Sequence, residues 1–509
     1  MENVVARLIE KGFLVSPDLK ELTSDDLGPF LEYLAQTYPG KKPSVISKEI
    51  YTAFVAHKKP VEVPKTESEP GAEPELEETY EISPSIKKRE KIETKMKIRK
   101  QFIHENRKVS INDWVTYYFD RYNKLRDILQ NREELKNTIS IGRAIKSTEG
   151  SGRQQVSLIG MIKSLRKAFS GTTIMELEDP TGIIKVAIKK PELAQKVEEL
   201  VEDEVIGLTG SLSKDIVFAE NIVFPEIPER PIKKSEDDVS AVFLSDIHLG
   251  SNMFLPNEFT QCIKWISGEL GNTAQRQMAE KIRYMFIAGD MVDGVGIYPG
   301  QESELLIPDI FAQYKEFADY IAKIPQDIHI VMIPGNHDTV RIAEPQPILF
   351  RDIAEKIYTL PNVTVASNPA TVNMHNIGAF PGFDVLLYHG YSFDHYVANS
   401  PYLMKHGYNR ADLIQEFLLR KRHLAPTHGS TLIDPGPVDH LVIDKIPDIF
   451  VTGHIHKTKV GRYRNILNLN CGCFQDKTAF QEKVGHTPEP GRVPVFNLKS
   501  GETKLMRFR

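Results

Sequence analysis

Five short apolar strands in this chain each run directly into side chains that can bind metal ions. The segments are VFLSDIH, MFIAGD, IVMIPGNHD, LLYHG and IFVTGHIH, and each carries Asp, Asn or His at or near its carboxyl end, between Asp246 and His456. No single local structure produces such a series, so the order itself carries information. Mixed carboxylate and imidazole ligands suit divalent ions such as Mn²⁺, Zn²⁺ or Fe²⁺, with Mg²⁺ as an alternative. The pattern predicts a site for two divalent cations that hydrolyses phosphate esters.

The candidate metal ligands are the polar residues that close these strands: Asp246, His248, Asp290, Asn336, His389, His454 and His456. Two cations about 3.5–4 Å apart can activate a water, hold a phosphate and neutralise its charge. Asp290 is the natural bridging ligand because it stands alone at its strand end, whereas its neighbours in the pattern come as pairs. Each ligand follows the last apolar residue of its strand, so we expect the cluster at the carboxyl edge of a sheet.

Each of these residues has an ordinary explanation when taken alone. An isolated Asp after a strand is commonly a turn residue or a helix cap, and an isolated His is usually a surface or core residue. We assign to that ordinary class His57, His104, His329, His375, His423, His428 and His486. Three histidines between His389 and the G-H-x-H motif stay open between that class and a phosphate contact: His395, His406 and His440.

The order D-x-H, G-D, G-N-H-D, H-G, G-H-x-H resembles the calcineurin-like metallophosphoesterase superfamily at every motif. The resemblance implies one metal held by Asp246, His248, Asp290 and His456, and a second held by Asp290, Asn336, His389 and His454. It also implies that His337 binds no metal and instead contacts the phosphate or protonates the leaving oxygen, with Asp338 orienting it. Asp293 would then support a ligand from behind.

Length and composition indicate a large protein without membrane or secretion signals. The 509 residues predict about three domains, and a formal net charge of −5 means that any basic surface is local. No apolar run approaches the roughly 20 residues of a membrane helix, and the N-terminus lacks the apolar core of a signal peptide. Cys262, Cys471 and Cys473 are too few for a disulfide framework. We expect a cytoplasmic, nucleoid-associated protein.

Charge and periodicity divide the N-terminal part in two. Residues 1–57 have apolar residues at helical spacing and predict a small helical module, either a partner-binding module or a structural appendage. Residues 58–110 predict a disordered charged linker, acidic at 66–81 and basic at 87–100. The basic run stays open between contact with phosphates or an acidic partner and a solvated tether or helix face.

The remaining chain predicts two larger domains, 111–235 and 236–509. After a helix at 111–129, five short strands with a helical stretch before the fourth resemble an OB-fold barrel. Phe169 and Phe218 are few aromatics for binding a single strand, so we favour protein docking for the barrel. The fold class is multidomain α+β: an OB-fold β-barrel followed by a calcineurin-like α/β metallophosphoesterase sandwich, with a small N-terminal helical module.

This domain order resembles the small subunits of archaeal family D replicative DNA polymerases. The same two-domain core resembles the accessory B subunits of eukaryotic replicative polymerases, whose metal motifs are generally described as degenerate. This chain keeps every ligand position, so we expect an active phosphoesterase site. The resemblance implies a Mn²⁺-dependent 3′–5′ exonuclease that removes mispaired ends within a DNA polymerase heterodimer.

The resemblance also implies partners for the chain. These are the large catalytic subunit and DNA with single-stranded or mispaired 3′ ends, with a sliding clamp or primase as further candidates. Residues 399–429 form an insert in the phosphoesterase domain. The basic end of its predicted helix, Arg420-Lys421-Arg422, stays open between holding an entering strand and forming a solvated helix face.

Two other functions stay open at this point. A phosphatase or phosphodiesterase acting on small phosphate esters would use the same ligands, because the ligand set does not encode the size of the substrate. Such an enzyme has little use for a helical head, a long linker and a barrel. A non-catalytic polymerase scaffold would keep structural metals only, but His337, which no metal needs, argues against pure scaffolding.

Overall fold

The computed structural model describes residues 14–15, 30, 33–34, 45–46, 91–147, 153–169, 171–483 and 485–509, and the chain divides into two compact units. In the first unit, Met1–Pro74, the strands β1 (Leu14–Val15) and β2 (Val45–Ile46) pair in parallel, and residues 30, 33 and 34 are helical. The rest of the predicted helical module, the acidic linker and residues 87–90 of the basic run lie outside the described residues.

The second unit, Glu75–Arg509, contains a closed barrel of five strands. A long helix precedes it, and the elements are α1 (Ile111–Gln130), α2 (Ile141–Ser147), β4 (Gln154–Lys167), β5 (Thr173–Asp179), β6 (Gly182–Ile188), α3 (Ala194–Glu198), β7 (Val205–Ser213) and β8 (Ile216–Val223), with 3₁₀ turns at Glu133–Leu135 and Pro191–Leu193. The strand order is β4-β5-β6-β8-β7, and only β6 and β8 pair in parallel. This arrangement confirms the predicted OB-fold.

Helix α1 packs on the barrel along one face. Tyr122, Leu125 and Leu129 of the helix share a buried cluster with Ile159 and Val205 of the barrel. The buried Arg121 donates from Nε to Asp439 Oδ2 (2.8 Å) and from an NH group to the carbonyl of Pro426 (2.6 Å). The helix therefore joins the barrel to the domain that follows.

The following domain contains two six-stranded sheets. The first has the order β12-β11-β10-β9-β18-β19, with bounds β9 (Ser240–Leu244), β10 (Ile282–Ala288), β11 (His329–Ile333), β12 (Val363–Val365), β18 (Arg492–Asn497) and β19 (Thr503–Arg507). Strands β9 to β12 run parallel, while β18 and β19 are antiparallel additions. Every residue of β9 and β10 is buried, which explains their continuous apolar sequences.

The second sheet has the order β16-β17-β15-β14-β13-β3. Its bounds are β3 (Met96–Gln101), β13 (Ala370–Met374), β14 (Phe383–Leu387), β15 (Ile449–Thr452), β16 (Lys459–Tyr463) and β17 (Ile466–Asn470). The inner faces of the two sheets form one core, in which Phe243 and Phe286 stack with ring centroids 5.3 Å apart and pack with Val385 and Leu387. This layered core confirms the predicted phosphoesterase sandwich.

Strand β3 corrects the prediction of a disordered linker over 58–110. It pairs antiparallel with β13, and its alternation places Met96 and Ile98 against the inner core while Lys97 and Arg99 are exposed. Lys100 forms a salt bridge of 3.0 Å with Asp444. This part of the basic run is the edge strand of a sheet, because two apolar residues at a period of two are enough to bury one face when a partner strand is available.

Helices cover the outer faces of both sheets. Against the first sheet pack α4 (Pro256–Ile266), α5 (Thr273–Glu280) and α6 (Ile310–Ile321), and against the second pack α7 (Phe393–Asn399), α8 (Pro401–Met404) and α9 (Ala411–Lys421). The remaining elements are α10 (Ala479–Lys483) and 3₁₀ turns at Gln301–Glu304, Ile357–Thr359 and Gly407–Arg410. Within the described ranges, none of the helices combines the length and the apolar character needed to span a bilayer.

The basic end of α9 neither faces solvent nor is free to hold a DNA strand, so both sequence interpretations were wrong. Lys421 is buried and lies 2.7 Å from Glu204 Oε2 of the barrel, and Arg420 lies 2.6 Å from Glu199 Oε2. Arg422 donates from Nε to the carbonyl of Ile443 (2.7 Å). These pairs fasten the insert to the barrel through charges that come from distant parts of the chain.

Candidate metal centre

The structure brings all seven predicted metal ligands together at one edge of the sandwich. They follow β9, β10 and β11 of the first sheet and β14 and β15 of the second. Within each of these two sets the adjacent strands run parallel. The two sheets are in contact there: the backbone N–H of His454, after β15 of the second sheet, donates to Asp246 Oδ2, after β9 of the first (2.9 Å). Carboxyl ends of parallel strands thus collect ligands that are far apart in sequence.

The first group of ligand atoms comes from Asp246, His248 and His456, with Asp290 beside them. His248 Nε2 lies 3.1 Å from His456 Nε2, 3.9 Å from Asp246 Oδ1 and 3.7 Å from Asp290 Oδ2. His456 Nε2 lies 3.5 Å from Asp246 Oδ1. Atoms bound to one cation at about 2.0–2.2 Å lie roughly 3–3.5 Å apart. The separations in this group, 3.1–3.9 Å, are close to that range and suit a single divalent ion.

The second group comes from Asp290, His389 and His454. His389 Nε2 lies 3.2 Å from Asp290 Oδ2 and 2.9 Å from Asn336 Oδ1. The same carboxylate oxygen, Asp290 Oδ2, therefore approaches an imidazole of each group. That position is the one a bridging ligand between two cations requires.

Each of the four imidazoles has a hydrogen-bond partner on its other ring nitrogen. His248 Nδ1 lies 3.0 Å from Asp293 Oδ1, and His389 Nδ1 lies 2.8 Å from the carbonyl of Ala288. The remaining two contacts join His454 Nε2 to Asp394 Oδ2 (2.9 Å) and His456 Nδ1 to the side-chain amide of Gln481 (3.0 Å). Such partners fix the ring orientation of metal-binding histidines.

Glycines in the motifs are required by close approach to the ligands. A Cβ on Gly335 would collide with Asp290 Oδ1, and a Cβ on Gly453 would collide with the side chain of Ser245 and lie 2.5 Å from Asp246 Oδ2. Gly335 therefore leaves room for the carboxylate of Asp290, which follows the neighbouring strand β10, and Gly453 leaves room for the carboxylate of Asp246, which follows β9 of the other sheet. This gives a physical reason for motif positions that bind nothing themselves.

Five of the predicted ligands adopt positive φ, which non-glycine residues rarely do. The angles are 52° for Asp246, 51° for His248, 51° for Asp290, 69° for His454 and 48° for His456. Left-handed backbone costs energy for every residue other than glycine, although Asp and His adopt it more often than most, and strained residues cluster at functional sites. The backbone is bent at each strand end so that the side chain turns toward the centre.

The buried charges of the centre depend on one another. Burial opposes ionisation of Asp290, but positive charge on His389, His337 and His248 outweighs it and holds the pKa of Asp290 well below its ordinary value. Burial would lower the pKa of His389, yet the Asp290 carboxylate raises it to about 10. A buried mixture of carboxylates and imidazoles of this kind is a set of donors for divalent cations, which take the place of the acidic protons.

His337 lies beside the first group without joining it. Its ring is edge-on to His248 with centroids 4.6 Å apart, and its Nδ1 donates to the carbonyl of Asp293 (2.8 Å). That hydrogen bond leaves Nε2 as the atom for proton exchange. Burial, together with the nearby His248, lowers the pKa of His337, so its protonated form is a stronger acid than ordinary imidazolium.

Asp338 does not orient the His337 ring, which corrects the expectation from the sequence. Its Oδ2 accepts the backbone N–H groups of Gly335 (2.9 Å) and Met291 (3.3 Å), and its Oδ1 accepts the Tyr314 hydroxyl (3.1 Å). Burial, together with the nearby Asp290 charge, raises the pKa of Asp338 to about 7. Asp338 is a positioning residue that shapes the loop carrying Asn336, because adjacent side chains on this turn point to different partners.

Several residues near the centre were not singled out from the sequence. Asp394 lies in α7, Gln481 lies in α10, and Tyr314 lies in α6, and each is placed by packing between elements. His423, assigned to the ordinary class, is buried against Asp439 (2.9 Å). His486, assigned to the same class, is near enough to His456 for the two charges to interact.

Comparison with known proteins agrees with this geometry. Residues 240–458 match the family described as calcineurin-like phosphoesterase, and residues 156–223 match the OB-fold nucleic acid binding domain. The phosphoesterase family implies divalent metal binding, and the donor atoms described above fit two cations in these positions.

Relatives match over most of the chain. The DNA polymerase II small subunit of Methanothermobacter thermautotrophicus is 42% identical over 401 residues, which cover 78% of this chain and 80% of the relative. The proteins of the same name from Archaeoglobus fulgidus and Halobacterium salinarum are each 38% identical over 78% of this chain. These matches cover 78% of the Archaeoglobus protein and 75% of the Halobacterium protein. The chain therefore belongs to the family of DNA polymerase II small subunits, with an OB-fold and a calcineurin-like phosphoesterase domain.

Proposed function

We propose that this chain is a Mn²⁺-dependent 3′–5′ exonuclease that removes mispaired nucleotides within its DNA polymerase. The observation that carries the proposal is the complete ligand set, in which Asp290 Oδ2 approaches both groups and all four imidazoles have partners on their outer nitrogens. A purely structural centre has no need for a further imidazole, yet the half-buried ring of His337 lies beside it.

The residues divide the chemistry between them. Two cations, when bound, supply a polarised water and positive charge at the phosphate. One would be held by Asp246, His248, Asp290 and His456, and the other by Asp290, Asn336, His389 and His454. His337 transfers a proton at Nε2 to the leaving 3′ oxygen. Asp338, through Gly335 and Tyr314, keeps the loop of Asn336 and His337 in place.

The first experiment digests single-stranded and mispaired oligonucleotides, labelled at the 3′ or the 5′ end, with the full chain and Mn²⁺. An Asp290→Ala variant is the control, and bis(4-nitrophenyl) phosphate reports diester hydrolysis that does not depend on DNA. Stepwise loss from the 3′ end that disappears in the variant supports the proposal. Hydrolysis of the small diester alone favours a phosphodiesterase of small esters, and inactivity toward both substrates, also with the large subunit present, favours a scaffold.

We also propose that α1 and the barrel, in the domain 111–235, form the docking surface for the large subunit. The domain 236–509 carries the phosphoesterase site. Ile111, Val115 and Phe119 are spaced by four residues, so they lie on one face of the helix, and they are 85%, 45% and 45% exposed. They border a cavity of about 780 Å³ that Trp114 and Tyr118 also line. Exposed apolar surface of this kind marks an interaction site.

The rim of this surface selects the chemistry of its partner. Glu178, Asp179 and Asp203 border the cavity, so the complementary segment of the large subunit is apolar with flanking Lys or Arg. An Ile111→Asp, Phe119→Asp double variant is expected to lose co-purification with the large subunit. Phe311→Asp is the matched control, because Phe311 is 56% exposed on α6 of the other domain. Unchanged assembly of the double variant would exclude this surface.

A further inference from the structure

A short loop after β10, residues 294–300, lies directly beside His337. Its first residue, Gly294, approaches the His337 backbone so closely that an added Cβ would lie 2.4 Å from the carbonyl oxygen of His337. Further along the loop, the ring of Tyr298 lies edge to face with the ring of His337, with centroids 6.4 Å apart. The loop thus carries an aromatic side chain next to the residue assigned to proton transfer.

Two buried glutamines hold the base of this loop. Gln301 donates from Nε2 to the carbonyl of Asp293 (2.9 Å) and to Asp293 Oδ2 (3.0 Å), and its Oε1 accepts the backbone N–H of Ile297 (2.8 Å). Gln313 donates to the carbonyl of Gly294 (3.1 Å) and accepts the N–H of the same residue (2.9 Å). Satisfied buried networks of this kind make a structure rigid, so the loop has a fixed position relative to the centre.

The ring of Tyr298 has surface left for a ligand. Its hydroxyl donates to Glu304 Oε2 (3.0 Å), which fixes the orientation of the ring. The residue is only half-buried, and an edge-to-face contact with His337 occupies at most one face of the ring. Aromatic rings that keep an open face stack on nucleic-acid bases with little regard to sequence. Tyr298 is therefore placed to hold a base.

The position of His337 decides which base Tyr298 can meet. In 3′–5′ digestion the leaving oxygen is the 3′ oxygen of the penultimate nucleotide, and His337 Nε2 is the group assigned to protonate it. Only the sugar separates that oxygen from the base of the same nucleotide, so the base next to His337 is the penultimate one. A second tyrosine, Tyr391, lies instead beside His454, a predicted ligand of the second cation, with ring centroids 5.5 Å apart.

We propose that Tyr298 stacks on the base of the penultimate nucleotide and thereby positions its 3′ oxygen at His337. The inference rests on the proposed exonuclease function and names a residue that selects a nucleic-acid substrate for the same site. Tyr298 acts through stacking alone, so a substrate that lacks this one base gains nothing from the ring.

The test compares two single-stranded oligonucleotides that differ only at the penultimate position, which carries a base in one and a tetrahydrofuran abasic residue in the other. Both keep the leaving 3′ oxygen. With Mn²⁺ and the large subunit present, we expect the full chain to remove the terminal nucleotide of the normal substrate with a kcat/KM about tenfold or more above that for the abasic one. Tyr298→Ala should lower kcat/KM for the normal substrate to the abasic level and leave the value for the abasic substrate unchanged.

Two control variants separate stacking from packing. Tyr298→Phe loses the hydrogen bond to Glu304 but keeps the ring, and Tyr391→Ala removes the tyrosine beside His454, so both should keep the preference for the normal substrate. A variant that only disturbs His337 would slow both substrates by the same factor.

Equal kcat/KM of the wild type for the two substrates, or an undiminished preference in Tyr298→Ala, would overturn the inference and leave the exonuclease proposal standing. Failure of the exonuclease proposal is seen separately, as both oligonucleotides remaining intact, and this inference would then fail with it.

Discussion

Asp394 Oδ2 lies 2.9 Å from His454 Nε2, so Nδ1 is the atom that this imidazole presents to Asp290 and His389. The carboxylate is held in turn by the Tyr408 hydroxyl at 2.8 Å. Partial burial opposes its ionisation, but the neighbouring His454 and the hydroxyl of Tyr408 lower the pKa of Asp394 to about 2. Helix α7 thus contributes a charged partner to the predicted second group of ligands.

Replacing Asp394 with Asn should weaken the second cation site and leave the first intact. Loss of such a partner typically lowers metal affinity about 10–100-fold. Titration of Mn²⁺, followed by paramagnetic resonance of the free ion, should show one site of unchanged affinity and one weakened site. Asp352→Asn, which changes an exposed carboxylate distant from Asp394 in the sequence, is the control. Equal weakening of both sites would mean that Asp394 supports the centre only through general folding.

Replacing His337 with Ala should lower kcat for oligonucleotide digestion by about 10²–10⁴, the range typical of proton transfer by a positioned group. Affinity for Mn²⁺ should stay unchanged, since His337 is placed beside the first ligand group and not within it. His104→Ala removes an exposed imidazole and serves as the control. A parallel loss of Mn²⁺ binding would instead make His337 a ligand.

The motifs could be predicted because each ligand directly follows a buried strand, which places side chains from distant segments at one sheet edge. Asp394 and Gln481 could not be predicted, since their positions depend on how α7 and α10 pack beside the centre. The same limit explains the basic end of α9. Its partner carboxylates, Glu199 and Glu204, belong to the barrel, and nothing near Lys421 in the sequence indicates them.

Two predictions failed for different reasons: Asp338 was assigned a role from its neighbour in the sequence, and strand β3 was assigned to a linker from its composition. Asp338 follows His337, but its carboxylate binds Gly335 and Tyr314, because consecutive side chains on a turn diverge. Strand β3 has only Met96 and Ile98 as inward apolar residues among lysines and arginines, so composition favoured a linker. Pairing with β13 supplied the stability that its own sequence does not indicate.

Replacing Arg121 with Met should destabilise the junction of α1, the barrel and the phosphoesterase domain by about 3–5 kcal/mol, because it leaves a buried carboxylate without its main partner. Arg121 and Asp439 are fully buried, 2.8 Å apart, and His423 shares the same carboxylate oxygen. Urea unfolding measures the effect. Arg126→Met on the same helix breaks a partly exposed pair with Asp127 and should cost about 0–1 kcal/mol. Similar losses in the two variants would contradict the role of the buried pair.

Glu344 should make the stability of the folded chain fall as the pH rises. Its side chain is buried and accepts the Tyr388 hydroxyl (3.1 Å), and burial raises the pKa of Glu344 to about 7 from an ordinary 4.5. The folded chain therefore holds this proton more tightly than the unfolded chain. The associated stability is fully present below about pH 4.5 and is lost as the pH rises through about 7, with a limit of about 3 kcal/mol.

The neutral variant Glu344→Gln should remove this part of the pH dependence. Urea midpoints measured from pH 5 to pH 8 are expected to fall less steeply in the variant than in the wild type, and the variant should be the more stable of the two at pH 8. Glu355→Gln changes an exposed carboxylate and should reproduce the wild-type slope. Identical slopes for the wild type and Glu344→Gln would show that Glu344 ionises at an ordinary pH, with its charge compensated inside the protein.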